Sequence, residues 1–596
     1  MTDSPLIRFL AVLAFGVLFA APVRAIESSL SAPGVSAELR RALAASALSI
    51  QAANRTDASA QEILATARAD YSRLIGVLYA HGYFGPVIHI RLDGHEAADI
   101  APLALGGPPV RLQIDVDPGP PFTFGRVAIG PLAAGTELPD GFALGMPAAT
   151  GVIRKAAEAS IDGWRGAGHA KAAVEAQSLM ADHGRQVLDA DLRLAPGPVV
   201  RFGRLDISGQ SAVRPERLRD IAGLPEGARF DPEAIAISAE RLRRTGAFAS
   251  VRLQEAETLG PGNSMDIALS VADAKPRRLG LGGTLSSLEG MTLSGFWLHR
   301  NLLGGAERLR FDAEISGLGA DTGDGVDARL STRFDRPATF DPDTGLFVHA
   351  ALETLDEPDY REDTGRFGVG LAHVFSDRLS GDISFDLHYS DVTDDLGQRD
   401  MSHVMLPIGL SWDGRDDPLD PREGVYFAGG LTPIVALGGG AESGLRMSAD
   451  ARAYRAMGER VVLAGRLQLG AIAGASTSGV PSSLLFFSGG GGSVRGQPYQ
   501  SLAVDLGGGN RVGGRAFAGL STEARVALTG PFGVVAFADA GYVAGDLDGS
   551  GEWHSGAGVG VRYDTGFGPI RLDIAGPVGG TTGDGLQLYI GIGQAF

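Results

Sequence analysis

Residues 486–502 read FFSGGGGSVRGQPYQSL, and Arg495 is the side chain there with chemistry to offer. A guanidinium presents five N–H donors in a planar fork that can grip a carboxylate with two parallel hydrogen bonds, which a lysine cannot reproduce. The four glycines before it, Gly489 to Gly492, make a backbone that turns sharply and passes close to a wall, and Gly496 allows the turn itself. Other candidate chemistry fails on spacing. DLDGSGE (Asp546–Glu552) lacks the acid pattern and the closing Glu of a calcium loop. GGGNRVGG (Gly507–Gly514) opens no helix and so cradles no phosphate. The 11 histidines show no metal-ligand spacing, no Gly-x-Ser-x-Gly elbow exists, and there is no cysteine. The expectation is a protein with no catalytic residues, no metal and no cofactor, hence not an enzyme.

An arginine on a pliable stalk needs a rigid surround. The chain has 596 residues, 44% of them hydrophobic, and 87 are glycine. Its formal charge of −18 argues against a nucleic-acid partner, which needs a basic face. Arg8, the apolar run Phe9–Ala20 and the small residues up to Ala25 describe an export signal over residues 1–25. That run is too short to span a bilayer, which takes about 20 apolar residues, and no later segment reaches that length without charge or glycine. From Pro276 to Phe596 the chain is a series of short alternating runs. Val404, Leu406, Ile408, Leu410 and Trp412 share one face, as do Ala557, Val559, Val561 and Tyr563, and Leu586, Leu588, Ile590, Ile592 and Phe596. Behind an export signal, this pattern predicts a transmembrane antiparallel β-barrel of about 16 strands, closed because lipid tolerates no unpaired edge. A soluble all-β domain is the alternative. Trp297, Trp412 and Trp553 fall in this half, where anchoring at the membrane surface is their expected role.

The preceding segment repeats. Pro118-Gly119-Pro120 with Phe124-Gly125-Arg126 returns 78 residues later as Pro196-Gly197-Pro198 with Phe202-Gly203-Arg204. Gly168 and Gly246 close helical patterns at the same displacement, with Gly82 a looser third counterpart. Leu64, Ala67, Tyr71, Leu74 and Leu78 share a helix face; Val110, Leu112, Ile114 and Val116 alternate as a strand. These are tandem small α/β domains, expected at 26–117, 118–197 and 198–275, ahead of a barrel at 276–596.

Three such repeats leading into a barrel that carries Val494-Arg495-Gly496 resemble the BamA/TamA outer-membrane assembly and translocation superfamily, whose repeats are called POTRA domains. Supporting stretches are HRNLLGGAERL (His299–Leu309), WDGRDDPLDPREG (Trp412–Gly424), FADAG (Phe537–Gly541) and YDTGFGPIRLDIA (Tyr563–Ala575). Within the superfamily, the repeat number and the wording SVRGQPYQSL are most similar to the TamA-type autotransporter assembly factors. The resemblance implies that the Val-Arg-Gly loop folds into the barrel, where Arg495 meets Glu523 and Asp539. Glu523 alternates with Thr522, Ala524, Val526 and Leu528, which agrees with a luminal position. Where the family commonly has an aromatic after Val-Arg-Gly this chain has Gln497, so Tyr499 is expected to supply the packing.

The implied function is assembly or translocation of outer-membrane β proteins, with the repeats in the periplasm. The implied partners are the outer-membrane lipid bilayer, nascent β-barrel or autotransporter clients, and a TamB-like inner-membrane-anchored periplasmic protein. A dedicated secretion transporter of the two-partner type and a passive pore are the alternatives. A lateral seam is expected between the first and last strands. Gly280, Gly282, Gly283, Gly591, Gly593 and Phe596 mark it, because glycine contributes no cross-strand side-chain pair; the alternative is that these glycines only relieve crowding where the barrel closes.

Overall fold

The structure, a computed structural model, describes residues 26–55, 57–101, 107, 109–286, 290–319, 325–565, 568–580 and 585–596; the expected export signal at 1–25 lies outside them. Contacts divide the chain into two units, one of residues up to 202 with 227–232 and 259–265, the other of 203–226, 233–258 and 266–596. No described helix is long and apolar enough to cross a membrane.

Three sheets of one design come first. β1 (Glu27–Ser31), α1 (Ala37–Ser46), α2 (Leu48–Ala53), α3 (Ala60–Ala80), β2 (Val87–Leu92), β3 (His95–Glu96) and β4 (Arg111–Asp117) make a sheet of order β1-β4-β2-β3. β5 (Thr123–Gly130), α4 (Thr150–Gly166), β6 (Ala173–Asp182) and β7 (Val187–Ala195) give the order β5-β7-β6. β8 (Arg201–Ser208), α5 (Pro215–Ala222), α6 (Pro232–Arg244), β9 (Phe248–Glu255) and β10 (Ser264–Asp273) give β8-β10-β9. In the first two sheets the opening strand runs parallel to the closing one, a pairing that requires a helical crossover. The helix face read from the sequence is the buried one in α3: Ile63, Leu64, Ala67, Leu74 and Leu78 are enclosed, and the Ser59 side chain caps the helix by accepting from the Glu62 amide. Gly82, Gly168 and Gly246 follow α3, α4 and α6 with φ of +85°, +85° and +66°, the left-handed turn that ends a helix and that side chains resist.

The rest is one closed barrel of β11 (Arg277–Ser286), β12 (Gly290–His299), β13 (Arg308–Leu318), β14 (Asp327–Arg336), β15 (Thr344–Glu357), β16 (Tyr360–Val374), β17 (Leu379–Asp394), β18 (Gly397–Met405), β19 (Ile408–Asp413), β20 (Gly424–Gly439), β21 (Gly444–Met457), β22 (Val461–Ala473), β25 (Ala516–Ala527), β26 (Phe532–Ala544), β27 (Glu552–Asp564), β28 (Pro569–Gly579) and β29 (Gln587–Ile592). A small hairpin, β23 (Val504–Gly507) with β24 (Asn510–Val512), stands outside the wall sheet. β18 and β19 share both neighbours, so the seventeen described strands fill sixteen positions round the barrel. Pro407, which has no N–H, divides them. Register is kept across the break, where the Ser384 amide donates to Pro407 O and the Leu406 amide to Pro433 O, each at 3.0 Å.

The outward face is the apolar one: Leu520, Val534, Val559, Ile574 and Ile590 are exposed on the wall, while Glu523, Asp539, Arg562 and Asp573 are buried on the inner side. That inversion of a soluble core is what lipid around a closed sheet selects.

The junction between β11 and β29 differs from the others. β11 pairs with β12 over its whole length, whereas among the described residues Ser286 with Tyr589 is the one register pair it makes with β29. The glycines expected to mark the junction also leave space for side chains of neighbouring strands. A side chain at Gly280 or Gly282 would meet Phe296 or Ser294 of β12, and one at Gly591 would meet Arg571 of β28. They make room for the inner neighbours, at a junction where one register pair is found among the described residues. Gly283 lies on β11, and Gly593, at φ +90°, ends the last strand. Phe596 is therefore not at the seam: the turn at Gly593 breaks the alternation and tucks the ring against Tyr454 and Ala464, with its carbonyl accepting from Arg525 at 3.0 Å.

The third repeat is fastened to two turns of the barrel. The Arg214 amide donates to Gly304 O at 2.8 Å. Arg217 donates to the carbonyls of Pro337 and Ala338. Arg241 and Arg244 both grip Asp343, at 2.5 and 2.7 Å. The Arg241 guanidinium, helped by Arg244 and opposed by partial burial, holds the Asp343 carboxyl down to about 2.

Candidate functional site

Residues 474–515 leave the wall after β22 and return at β25, and between those points they fill the lumen. Val480 and Leu485 pack with Met405, Ile434 and Ile472 from the wall. The Ser483 amide and hydroxyl donate to Glu362 on β16, at 2.9 and 2.8 Å, and Arg511 pairs with Asp359 at 2.7 Å. The loop is a plug seated on the inner wall.

Arg495, at its tip, is 3% exposed. Its Nε and Nη2 meet the two carboxylate oxygens of Asp539 at 2.7 and 3.0 Å, the bidentate fork, and Nη1 lies 2.6 Å from Glu523 Oε1. Its own amide also donates to Asp539 at 3.1 Å, and the guanidinium stacks 3.6 Å above the Phe537 ring. Sequence reasoning missed a third acid: Asp573 on β28 is 3.6 Å from Nη1 and paired with Arg562. Arg525 binds Glu523 from the other side at 2.8 Å. Three carboxylates and three guanidiniums thus alternate in space on the inner face of β25–β28. Asp573 could have been found from its parity, since it falls between outward Leu572 and Ile574.

The neighbours of Arg495 complete the seat. Val494 is fully buried. Gly496 has φ +92°, and a Cβ there would come within 2.5 Å of the Gly576 carbonyl, so neither conformation nor space admits a side chain. Its amide donates to the Tyr589 hydroxyl at 3.1 Å. Gln497 takes the usual aromatic's place with hydrogen bonds: Nε2 donates to Ser555 O and Gly579 O at 2.8 and 3.0 Å. Those carbonyls flank a bulge where the β27–β28 register shifts at Ser555/Gly556 opposite Pro577. Tyr499 does more than pack, for its hydroxyl donates to Glu357 on β15 at 3.1 Å.

A closed antiparallel barrel, apolar outside, charged inside and filled by its own loop, defines an outer-membrane β-barrel protein. Residues 301–596 match the family model of the Omp85 superfamily domain, and residues 200–272 match POTRA, the surface antigen variable number repeat. The chain carries an Omp85 superfamily domain behind a POTRA domain, which places the barrel in the outer membrane and POTRA in the periplasm. Among solved structures it is similar to BamA from Haemophilus ducreyi lacking POTRA domains 1-3, with a TM-score of 0.61 and 15% identity over 78% of this chain and 99% of that one. It is also similar to CdiB from Acinetobacter baumannii, with a TM-score of 0.50 and 12% identity over 79% of this chain and 89% of that one. At these identities the likeness is one of fold.

Proposed function

We propose that the protein assembles or translocates outer-membrane β proteins, autotransporters among them, by opening laterally between β11 and β29. The observation that carries this reading is that, among the described residues, one register pair, Ser286 with Tyr589, joins those strands. A client strand brings N–H and C=O groups that each cost several kcal/mol if left unpaired in lipid. A strand edge that separates easily can satisfy them by adding the client to its own sheet. The POTRA sheets supply further edges in the periplasm, where a TamB-like inner-membrane-anchored protein is the proposed partner. A buried arginine plug favours this over a passive pore, and low single-channel conductance is the expected correlate.

The test uses the absence of native cysteine. Single cysteine pairs placed between Leu279–Leu285 and Leu586–Ile592 form disulfides where Cα atoms lie about 4.4–6.8 Å apart. An oxidised seam is expected to stop client assembly and a reduced one to restore it. Assembly at the same rate in both states rejects lateral opening.

A further inference from the structure

The seam and the plug meet at one residue, Tyr589. Its backbone is the partner of Ser286 across the junction and of Asp573 on the other side. Its side chain turns inward, 6% exposed, and packs in a cluster with Val535, Phe537 and Ala575. Phe537 is the ring under Arg495. The Tyr589 hydroxyl accepts from the Gly496 amide and donates to Gln587 on its own strand. The plug stalk passes over the same ring: a Cβ at Gly491 would lie 3.4 Å from it.

From this geometry we propose that Tyr589 is the positioning residue through which the seated plug keeps the seam closed. Among the described residues one register pair joins the two strands, and Tyr589 is half of it. That half is fixed from inside, through a phenol clamped between the plug tip and Gln587. Withdrawal of the Arg495 tip takes the Gly496 amide away, frees the ring, and loosens the pair that joins the two strands. The inference rests on the reading of β11–β29 as the opening seam.

Full-length protein in lipid nanodiscs, spin-labelled at Leu281→Cys and Ile590→Cys, reports the seam directly, since both positions are exposed on the outer face. Tyr589→Phe keeps the ring and removes the clamp. It is expected to raise the long-distance fraction about fivefold, the equivalent of about 1 kcal/mol, one hydrogen bond. Arg495→Ala is expected to raise it at least as far, and adding Tyr589→Phe to Arg495→Ala to change nothing more. A purely structural tyrosine would instead give additive effects, and additivity or an unchanged distance distribution in Tyr589→Phe overturns the coupling. Should Tyr589→Phe lose heat-modifiable migration, Gln587→Leu removes the other half of the clamp and is expected to shift the distribution the same way by a smaller factor; no shift there overturns the coupling equally. A disulfide-locked seam that still assembles clients defeats the lateral-opening reading. A lock that blocks assembly beside a silent Tyr589→Phe defeats only the coupling.

Discussion

The two walls that meet at the seam are held by different clamps. The last five strands are gathered from inside, by a plug whose arginine, amides and glutamine reach β25 through β29. The first strands are gathered from below, by a repeat whose arginines grip the turns after β12 and β14. Their inner faces differ accordingly. Against β11–β14 lies an open cavity of about 520 Å³ lined by Phe296, Arg310, Asp312, Glu314 and Arg329. There the Arg310–Asp312 pair is about 40% exposed, whereas the Arg495–Glu523 pair is 4% and 0% exposed. Water screens the first kind of pair, which contributes about 0–1 kcal/mol; breaking the second strands a charge, at about 3–5 kcal/mol. The lesson is that the seam separates two bodies, each rigid for its own reason, so relative movement concentrates there.

Removing a whole clamp is the harshest way to break this comparison. Deleting the third repeat, about Pro198–Ala274, is expected to abolish client assembly, while deleting the first, about Ile26–Asp117, leaves a measurable rate; assembly yields in a depleted strain decide between them, and equal yields refute the ordering. Next in size is Arg495→Ala, expected to unseat the plug by about 3–5 kcal/mol while the barrel stays folded. Protease cleavage within 486–500 should rise sharply, with heat-modifiable migration unchanged.

The outer clamp is weaker and depends on pH. Asp343 is depressed to about 2 from 3.8, so its contribution is complete above pH about 4 and is lost as pH falls toward 2. The shift corresponds to about 2 kcal/mol. Asp343→Asn should reproduce that loss at neutral pH, read as faster hydrogen exchange over residues 239–245, and should remove the acid dependence. The smallest effect is expected at Arg310→Gln, within about 0.5 kcal/mol in thermal unfolding and with assembly unchanged. A large loss there would show that the open wall also depends on its ion pairs.

The barrel was legible because alternation is a direct consequence of a two-faced sheet, and the repeats because glycine, proline and helix patterns recur at a fixed interval. Around Arg495 the motif reaches Glu523 and Asp539, and parity extends the set to Asp573, which lies between outward Leu572 and Ile574. The role of Gln497 was not legible, since the carbonyls it satisfies belong to a bulge and carry no side-chain signature. Phe596 misled for a simple reason: alternation was continued through Gly593, whose positive φ redirects the chain. Glycine at the seam carries two readings in sequence, a missing cross-strand pair and room for a neighbour, and Phe296 beside Gly280 is an instance of the second.

The plug also orders the making of the barrel. Its ties to the near wall close short stretches of chain, 28 residues from Arg495 to Glu523 and 44 to Asp539. Its ties to the far wall close long ones, 121 residues from Ser483 back to Glu362 and 142 from Tyr499 back to Glu357. Loop-closure entropy makes the longest of these roughly 1.5 kcal/mol costlier to initiate than the shortest. The arginine tip is therefore expected to dock on β25 and β26 as those strands pair, and to be carried in with them. The cross-lumen contacts follow once the opposite strands have curved round, so the plug is built into one edge of the growing sheet rather than threaded into a finished cylinder.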